Sequence, residues 1–282
     1  MPEGISIHIG LNSVDPAHYA GWSGELAACE FDAKDMQAIA ETNGFVSTLL
    51  LTQDATADAV TGAIRDAGER LSAGDTLFVS YSGHGGQVPD GNSDEDDRRD
   101  ETWCLFDREL IDDELYTLWS GFKPEVRVFV LSDSCHSGSA ARQVERVIGI
   151  EAINAAAGSS GDGEGRPRLK ALPEALEQRV YDENSALYDA IQAETTAYDK
   201  ADIPVHVLLI SGCQDSQTSA DGDRNGLFTQ ALRQTWDDGR FDGDYRSFHK
   251  KIVALMPLWQ VPNYFWAGVP SRSFEQQKPF QI

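Results

Sequence analysis

The chain has 282 residues, 41% hydrophobic and 9% aromatic, which is enough to bury the core of one large α/β domain or two small ones and excludes a disordered chain. Acidic residues outnumber basic ones 46 to 23, and a formal net charge of −23 argues against binding to nucleic acid or docking on an anionic membrane. The acidity is either a solubility or salt-adaptation trait, or part of it serves cations.

The opening MPEGISIHIG has no basic start and no long apolar run, so no signal peptide is read, and no stretch approaches 18 consecutive apolar residues. Residues 5–12 are β-branched and partly alternating, which suits a strand. Residues 25–42 carry Leu26, Cys29, Met36 and Ile39 at helical spacing, and Asn43-Gly44 supplies a stop. FVSTLLL (45–51) reads as a buried strand. Asp54-Ala-Thr opens a second helix through about Leu71, and TLFVSYSG (76–83) is a third strand. VRVFVLSDS (126–134) and VHVLLISG (205–212) are the fourth and fifth. Strands alternating with helices predict an α/β fold with a largely parallel sheet flanked by helices. Functional residues then collect at the carboxyl ends of strands, which here are SGHGG, DSCHSG and SGCQDSQ.

Two segments break the rhythm. Residues 90–114 hold twelve acidic and three basic side chains, −9 of the total charge. Residues 139–203 form a long connector centred on AAAGSSGDGEGRPRLK, a loop composition of the kind that tends to be functional or cleavable. Cysteines 29, 104, 135 and 213 are far apart with no CxxC pair, so free thiols in a cytoplasmic protein are expected rather than disulfides or structural zinc.

His84 and Cys135 each sit just past an apolar strand, bracketed by glycine and serine. Neighbouring parallel strands lie roughly 5 Å apart, so if these two are adjacent the side chains emerge side by side. A cysteine needs an imidazole to become a thiolate or to protonate a leaving amine. Free backbone N–H groups near Gly85 and Cys135 suit a tetrahedral oxyanion. Cys29 and Asp32, three residues apart, share a helix face. CHSGSAAR (135–142) is set aside as a phosphatase loop, because six residues rather than five separate Cys from Arg and the surroundings are acidic. His136 and His206 read as structural, and His8, His18 and His249 carry no signal. Trp236, Trp259 and Trp266 read as packing, although the stretch from Trp259 to Trp266 suits a substrate groove.

YSGHGG followed 51 residues later by DSCHSG resembles the caspase-like cysteine peptidases, specifically the metacaspases. ACEFDAKDM (28–36), the acidic residues 94–101, IDDEL (111–115), and SGCQDSQTSAD (211–221) with GLFTQAL (226–232) extend the resemblance over most of the chain. It implies a caspase-like fold in a single domain, 1–282. Residues 1–140 would be the large half, 141–203 a connector and 204–282 the small half. The implied activity is cleavage after Arg or Lys by a monomer, with Cys135 as nucleophile and His84 as general acid/base. Cys29, Asp32, Ser82 and Asp133 match the family's specificity pocket, and paired carboxylates suit a cationic side chain. The resemblance also implies Ca²⁺ held by Asp100, Asp112 and Asp113. Arg142 stands where the family usually has Asp, and would oppose the ion or replace it. Metacaspases often cut themselves in the connector; of Arg142, Arg146, Arg166, Arg168, Lys170 and Arg179, the favoured sites are Arg168 and Lys170, since Pro167 blocks cleavage after Arg166. No prodomain is expected before residue 5. The rival expectation is a non-catalytic caspase-like regulatory or cation-sensing module.

Overall fold

A computed structural model describes residues 2–91, 98–135, 148–163, 166, 168–195, 203–214 and 217–282. Among them, six strands form one sheet in the order β2 (Val46–Leu51), β1 (Gly4–Gly10), β3 (Thr76–Ser82), β7 (Arg127–Asp133), β8 (His206–Ser211) and β9 (Asn263–Gly268). The first five run parallel and β9 is antiparallel to β8. The period of two sends alternate side chains to opposite faces. Ile5, Ile7, Ile9, Leu77, Val79, Val128 and Val130 pack on one face with helices α2 (Ala57–Arg70) and α3 (Asp112–Ser120). Phe78, Phe129, Leu131, Leu208 and Ile210 pack on the other, with α1 (Cys29–Thr42), α6 (Leu227–Trp236) and α7 (Tyr245–Leu255). A side chain at Gly10 would collide with the Cys29 carbonyl and the Ala33 side chain, so this glycine lets the start of α1 press against β1.

The structure corrects two expectations and fills in a third segment. FVSTLLL is an edge strand rather than a buried one, with a single partner, β1, and Val46 57% exposed. A run of apolar residues does not say how many neighbours a strand has. The acidic stretch 90–114, to which the sequence pattern assigns no element, is largely regular structure among its described residues. Around its undescribed residues 92–97 it holds β5 (Arg99–Cys104) and β6 (Glu109–Ile111), which join β4 (Gly85–Pro89) in a three-stranded antiparallel sheet, and it then starts α3. The connector likewise contains two helices, α4 (Ile150–Ala157) and α5 (Glu174–Glu194). A short helix α8 (Arg272–Glu275) follows β9.

Helix α5 is tied to the small sheet. Gln192 Nε2 donates to the Pro89 carbonyl and to Asp100 Oδ2, each at 2.7 Å, and the Glu109 N–H donates to the Tyr188 hydroxyl at 3.2 Å. Beneath the helix, burial pushes the Glu109 carboxyl up to about 7; the Thr102 hydroxyl that donates to it at 2.5 Å pulls the other way, and Glu177 adds to the rise. A carboxyl raised in the folded state is a liability above that value and neutral cost below the unfolded one, near 4.5. Glu109→Gln, which keeps an oxygen for Thr102, is therefore expected to stabilise the fold by about 2–3 kcal/mol at pH 8 and by little at pH 4. Urea unfolding at the two pH values checks this, and an equal effect at both would contradict a buried charge.

Candidate active site

Strands β3 and β7 are neighbours, with Ser82 opposite Asp133, so the chains leaving them bring His84 and Cys135 to the same end of the sheet. The turn after β3 is pinned from two sides: the His84 carbonyl accepts from the Tyr81 hydroxyl at 2.6 Å and from the Cys104 N–H at 2.9 Å. The His84 ring lies 4.6 Å from that of Trp22. Its Nε2 donates to the Gly24 carbonyl at 2.9 Å, and Nδ1 has no hydrogen-bond partner among the described residues. Burial lowers its pKa to about 4, against a smaller upward pull from the backbones of Gly24 and Ala171. The ring is thus neutral above that pH, and because a carbonyl only accepts, the proton sits on Nε2 and the free lone pair on Nδ1. Cys135 is fully buried, packs with Ala171 and Cys213, and has its Sγ 3.2 Å from Thr218 Oγ1 and within reach of the Ser219 N–H. No hydrogen bond joins His84 to Cys135 among the described residues.

What lies between these groups is the chain's own connector. The Lys170 carbonyl accepts from the backbone N–H of Cys135 at 3.0 Å and of Gly85 at 3.1 Å, the two donors named from the sequence for an oxyanion. The segment is bound as a strand: Asp221 N–H donates to the Arg168 carbonyl at 2.8 Å, Leu169 pairs antiparallel with Ala220, and Lys170 N–H donates to the Ser219 carbonyl at 2.9 Å. Beyond Lys170 it crosses to the other side, where Ala171 pairs with Gly85 and Leu172 N–H donates to the Gly85 carbonyl at 2.7 Å.

The Lys170 side chain is 0% exposed. Its Nζ lies 3.0 Å from Asp32 Oδ2, 3.0 Å from Asp133 Oδ2 and 3.9 Å from Asp221 Oδ1, and donates to Ser82 Oγ at 2.9 Å. Burial alone would discharge an ammonium; Asp133 and Asp32 outweigh it and hold Lys170 charged. The acids are themselves braced. Asp32 accepts from Ser82 Oγ at 2.8 Å, Asn225 Nδ2 at 3.0 Å and the Gly226 N–H at 3.1 Å. Asp133 accepts from Ser219 Oγ at 2.6 Å and Thr229 Oγ1 at 2.9 Å, and Asp221 from the Ala27 N–H at 2.7 Å. Burial pushes Asp32 up to about 6 despite the ammonium beside it. The Cys29 thiol, pushed up by burial, points at Asp221 Oδ1 from 3.9 Å. A side chain at Gly226 would run into Asp133 and the Lys170 ammonium, so only glycine keeps this pocket open.

All four pocket residues named from the sequence, Cys29, Asp32, Ser82 and Asp133, therefore meet around one cation. Sequence reasoning missed Asp221, Asn225 and Gly226, and it named Lys170 as a cleavage site without seeing that the pocket would hold it. Arg168 is half-buried and pairs with Asp223 at 3.1 Å. Arg179 lies on α5 and pairs with Glu183 one turn away at 2.7 Å. His136, Arg142 and Arg146 lie outside the described residues. Asp100 is buried in β5 and engaged by Gln192, while Asp112 and Asp113 open α3. Among the described residues no group of three or more His, Cys, Asp or Glu side chains is arranged to hold a metal ion, so these three aspartates do not by themselves complete the calcium site that the resemblance implies. All four cysteines are buried thiols, and no helix among the described residues is long and apolar enough to cross a membrane.

Comparison with known proteins identifies the family and the fold. The caspase-domain family model matches residues 14–275. Metacaspase-1 of Cryptococcus neoformans is 32% identical over 252 residues, covering 79% of this chain and 52% of that protein. Metacaspase-1A of Aspergillus terreus is 31% identical over 252 residues, 79% of this chain and 59% of that one. The chain thus spans about half the length of the curated relatives it matches. A crystal structure of a Geobacter sulfurreducens protein superposes with a TM-score of 0.87 at 49% identity, covering 100% of this chain and 99% of that one. Caspase-1 from Spodoptera frugiperda shares the fold at 12% identity, with a TM-score of 0.53 over 99% of this chain and 92% of that one. The chain belongs to the caspase-domain family of cysteine peptidases and is metacaspase-like within it.

Proposed function

We propose that this chain is a cysteine endopeptidase that cuts after Lys or Arg, acts as a monomer, and takes its own Lys170–Ala171 bond as its first substrate. The observation that carries the reading is the Lys170 carbonyl between the N–H groups of Gly85 and Cys135 while its ammonium fills a pocket of three carboxylates. Cys135 gives its proton to Nδ1 of His84, and the sulfur adds to the Lys170 carbonyl carbon. The charge that develops on the oxygen is held by the two N–H groups already in place. His84 then returns the proton to the Ala171 nitrogen, the C–N bond breaks, and a thioester joins Cys135 to Lys170. Water activated by His84 hydrolyses it. The buried, neutral ring gives His84 a free lone pair through the neutral pH range, and as an imidazolium it is a strong acid for the departing amine. Until the cut, Lys170 blocks the pocket against other substrates.

Intact mass spectrometry of the protein after incubation tests the self-cleavage, with an expected pair of fragments ending at Lys170 and beginning at Ala171. Reporter peptides ending in Arg, Lys or Asp, each with calcium and with chelator, test specificity and the cation together. Arg and Lys reporters are expected to be cut and the Asp reporter refused, because Asp32, Asp133 and Asp221 would repel it. A preference for Asp would overturn the pocket assignment.

A further inference from the structure

Lysine is only one of three side chains of the connector that the site grips, and the neighbours before it are held by groups with no part in the chemistry. We infer that the site also reads the second and third residues before the cut, and that its substrates carry an apolar residue next to the Lys or Arg and a basic residue before that. This rests on the reading of Lys170–Ala171 as the bond that is cut.

The third position is Arg168. Its Nη1 lies 3.1 Å from Asp223 Oδ1, and the Asp223 carboxylate is fixed by the Ser160 N–H, at 3.1 Å from each oxygen, and by the Ser160 hydroxyl at 3.1 Å. Asp223 thus holds its place through bonds to Ser160 that do not involve Arg168. The loop that carries it also carries Asp221 and Asn225, which serve the lysine pocket, so one turn of chain reads two basic residues. The second position is Leu169. It packs against the cluster of Ile153, Ala157, Ala220 and Leu227, to which Met256 and Trp259 also belong. None of these offers a charge to a polar side chain, so an acid or amide at this position would lose its water without replacement. The two side chains are presented by a backbone whose hydrogen bonds to Ser219 and Asp221 any peptide can make, which leaves discrimination to the pockets.

The test uses quenched fluorescent peptides and the full chain. The reference peptide is Arg-Leu-Lys-Ala-Leu; one comparison has Glu in place of Arg, another Asp in place of Leu. The Arg peptide is expected to exceed the Glu peptide in kcat/KM by roughly tenfold, an ion pair on one side and a like-charge contact on the other. The Asp-for-Leu peptide is expected to lose about tenfold or more. In Asp223→Arg the ratio of Arg to Glu peptide should fall below one. Ratios within one enzyme are unaffected by how much of it is folded or has vacated its site. A second measurement follows the cut in cis: Arg168→Glu should slow cleavage after Lys170, and Arg168→Glu combined with Asp223→Arg should restore it. Lys peptides cleaved with no preference at either position, or a ratio that Asp223→Arg leaves unchanged, would overturn the inference while leaving the peptidase reading intact. No cleavage of any Lys peptide and no self-cleavage would overturn both.

Discussion

Replacing Cys135 with alanine is expected to leave the chain uncut after Lys170 and to lower kcat/KM on Lys and Arg reporters by at least a thousandfold, on the order seen when a catalytic nucleophile is removed elsewhere. The loss should be chemical rather than structural. The N–H of residue 135 still donates to the Lys170 carbonyl, and none of the bonds that hold Lys170 in its pocket passes through the sulfur. The full-length variant should therefore unfold in urea close to the midpoint of an uncut reference, while time courses by mass spectrometry show no fragment. Retained self-cleavage would sink the nucleophile assignment. A variant that is both inactive and grossly unfolded would point instead to Cys135 as a packing residue against Ala171 and Cys213.

Removing the ammonium should be felt differently. Lys170→Met leaves Asp32, Asp133 and Asp221 facing one another with no cation, in a place where 0% of the lysine side chain meets solvent. Breaking a buried ion pair by deleting one partner typically costs 3–5 kcal/mol, and the lower end is expected here because water can enter a pocket built for exchangeable side chains. The sign of the pH dependence follows from Asp32. Its carboxyl titrates near 6 even beside Lys170, and without the cation its pKa moves further up. As pH falls through that range Asp32 takes a proton and the repulsion is relieved. The deficit relative to the parent chain should thus be largest near pH 8 and shrink by pH 5. Lys170→Arg should keep most of the stability and still be cut. Denaturant unfolding at the two pH values measures this. A deficit independent of pH would mean that lost packing, not charge, is responsible.

The end of the sheet that carries the candidate site was legible because strands and glycines leave strong traces. His84 and Cys135 each follow a buried, apolar run, and the adjacency of β3 and β7 is what such runs favour in a parallel sheet. Asp32 and Asp133 were placed by the family resemblance, which the helix face of one and the strand end of the other support. Asp221 carried the same signal, an acid in the loop past the carboxyl end of β8 and the last residue of the block SGCQDSQTSAD, but it lies ten residues past the strand end and nothing local shows that the loop folds back over Asp32 and Asp133. The connector was misread for a physical reason. Its glycines mark turns correctly, yet α5 buries only narrow contacts such as Val180, Tyr188 and Gln192 among many charges, a pattern that resembles a solvated segment. The edge position of β2 depends on which strands lie beside it, and a local run of valine and leucine does not encode that.

Strand β8 lies between β7 and β9 in the interior of the sheet, and the chain reaches it only after the bond at Lys170. The proposed cut would therefore change freedom far more than mass, since hydrolysis adds only one water. The downstream fragment supplies an interior strand and cannot leave without dissolving the sheet, while its new end at Ala171 is moored by Leu172, fully buried beside Val14 and Tyr19. What the proposed cut would release is one loose end, Arg168 to Lys170, whose departure would then be a local peeling rather than an unfolding. The nicked protein would still travel as a single particle, and its history would be visible only once it is denatured.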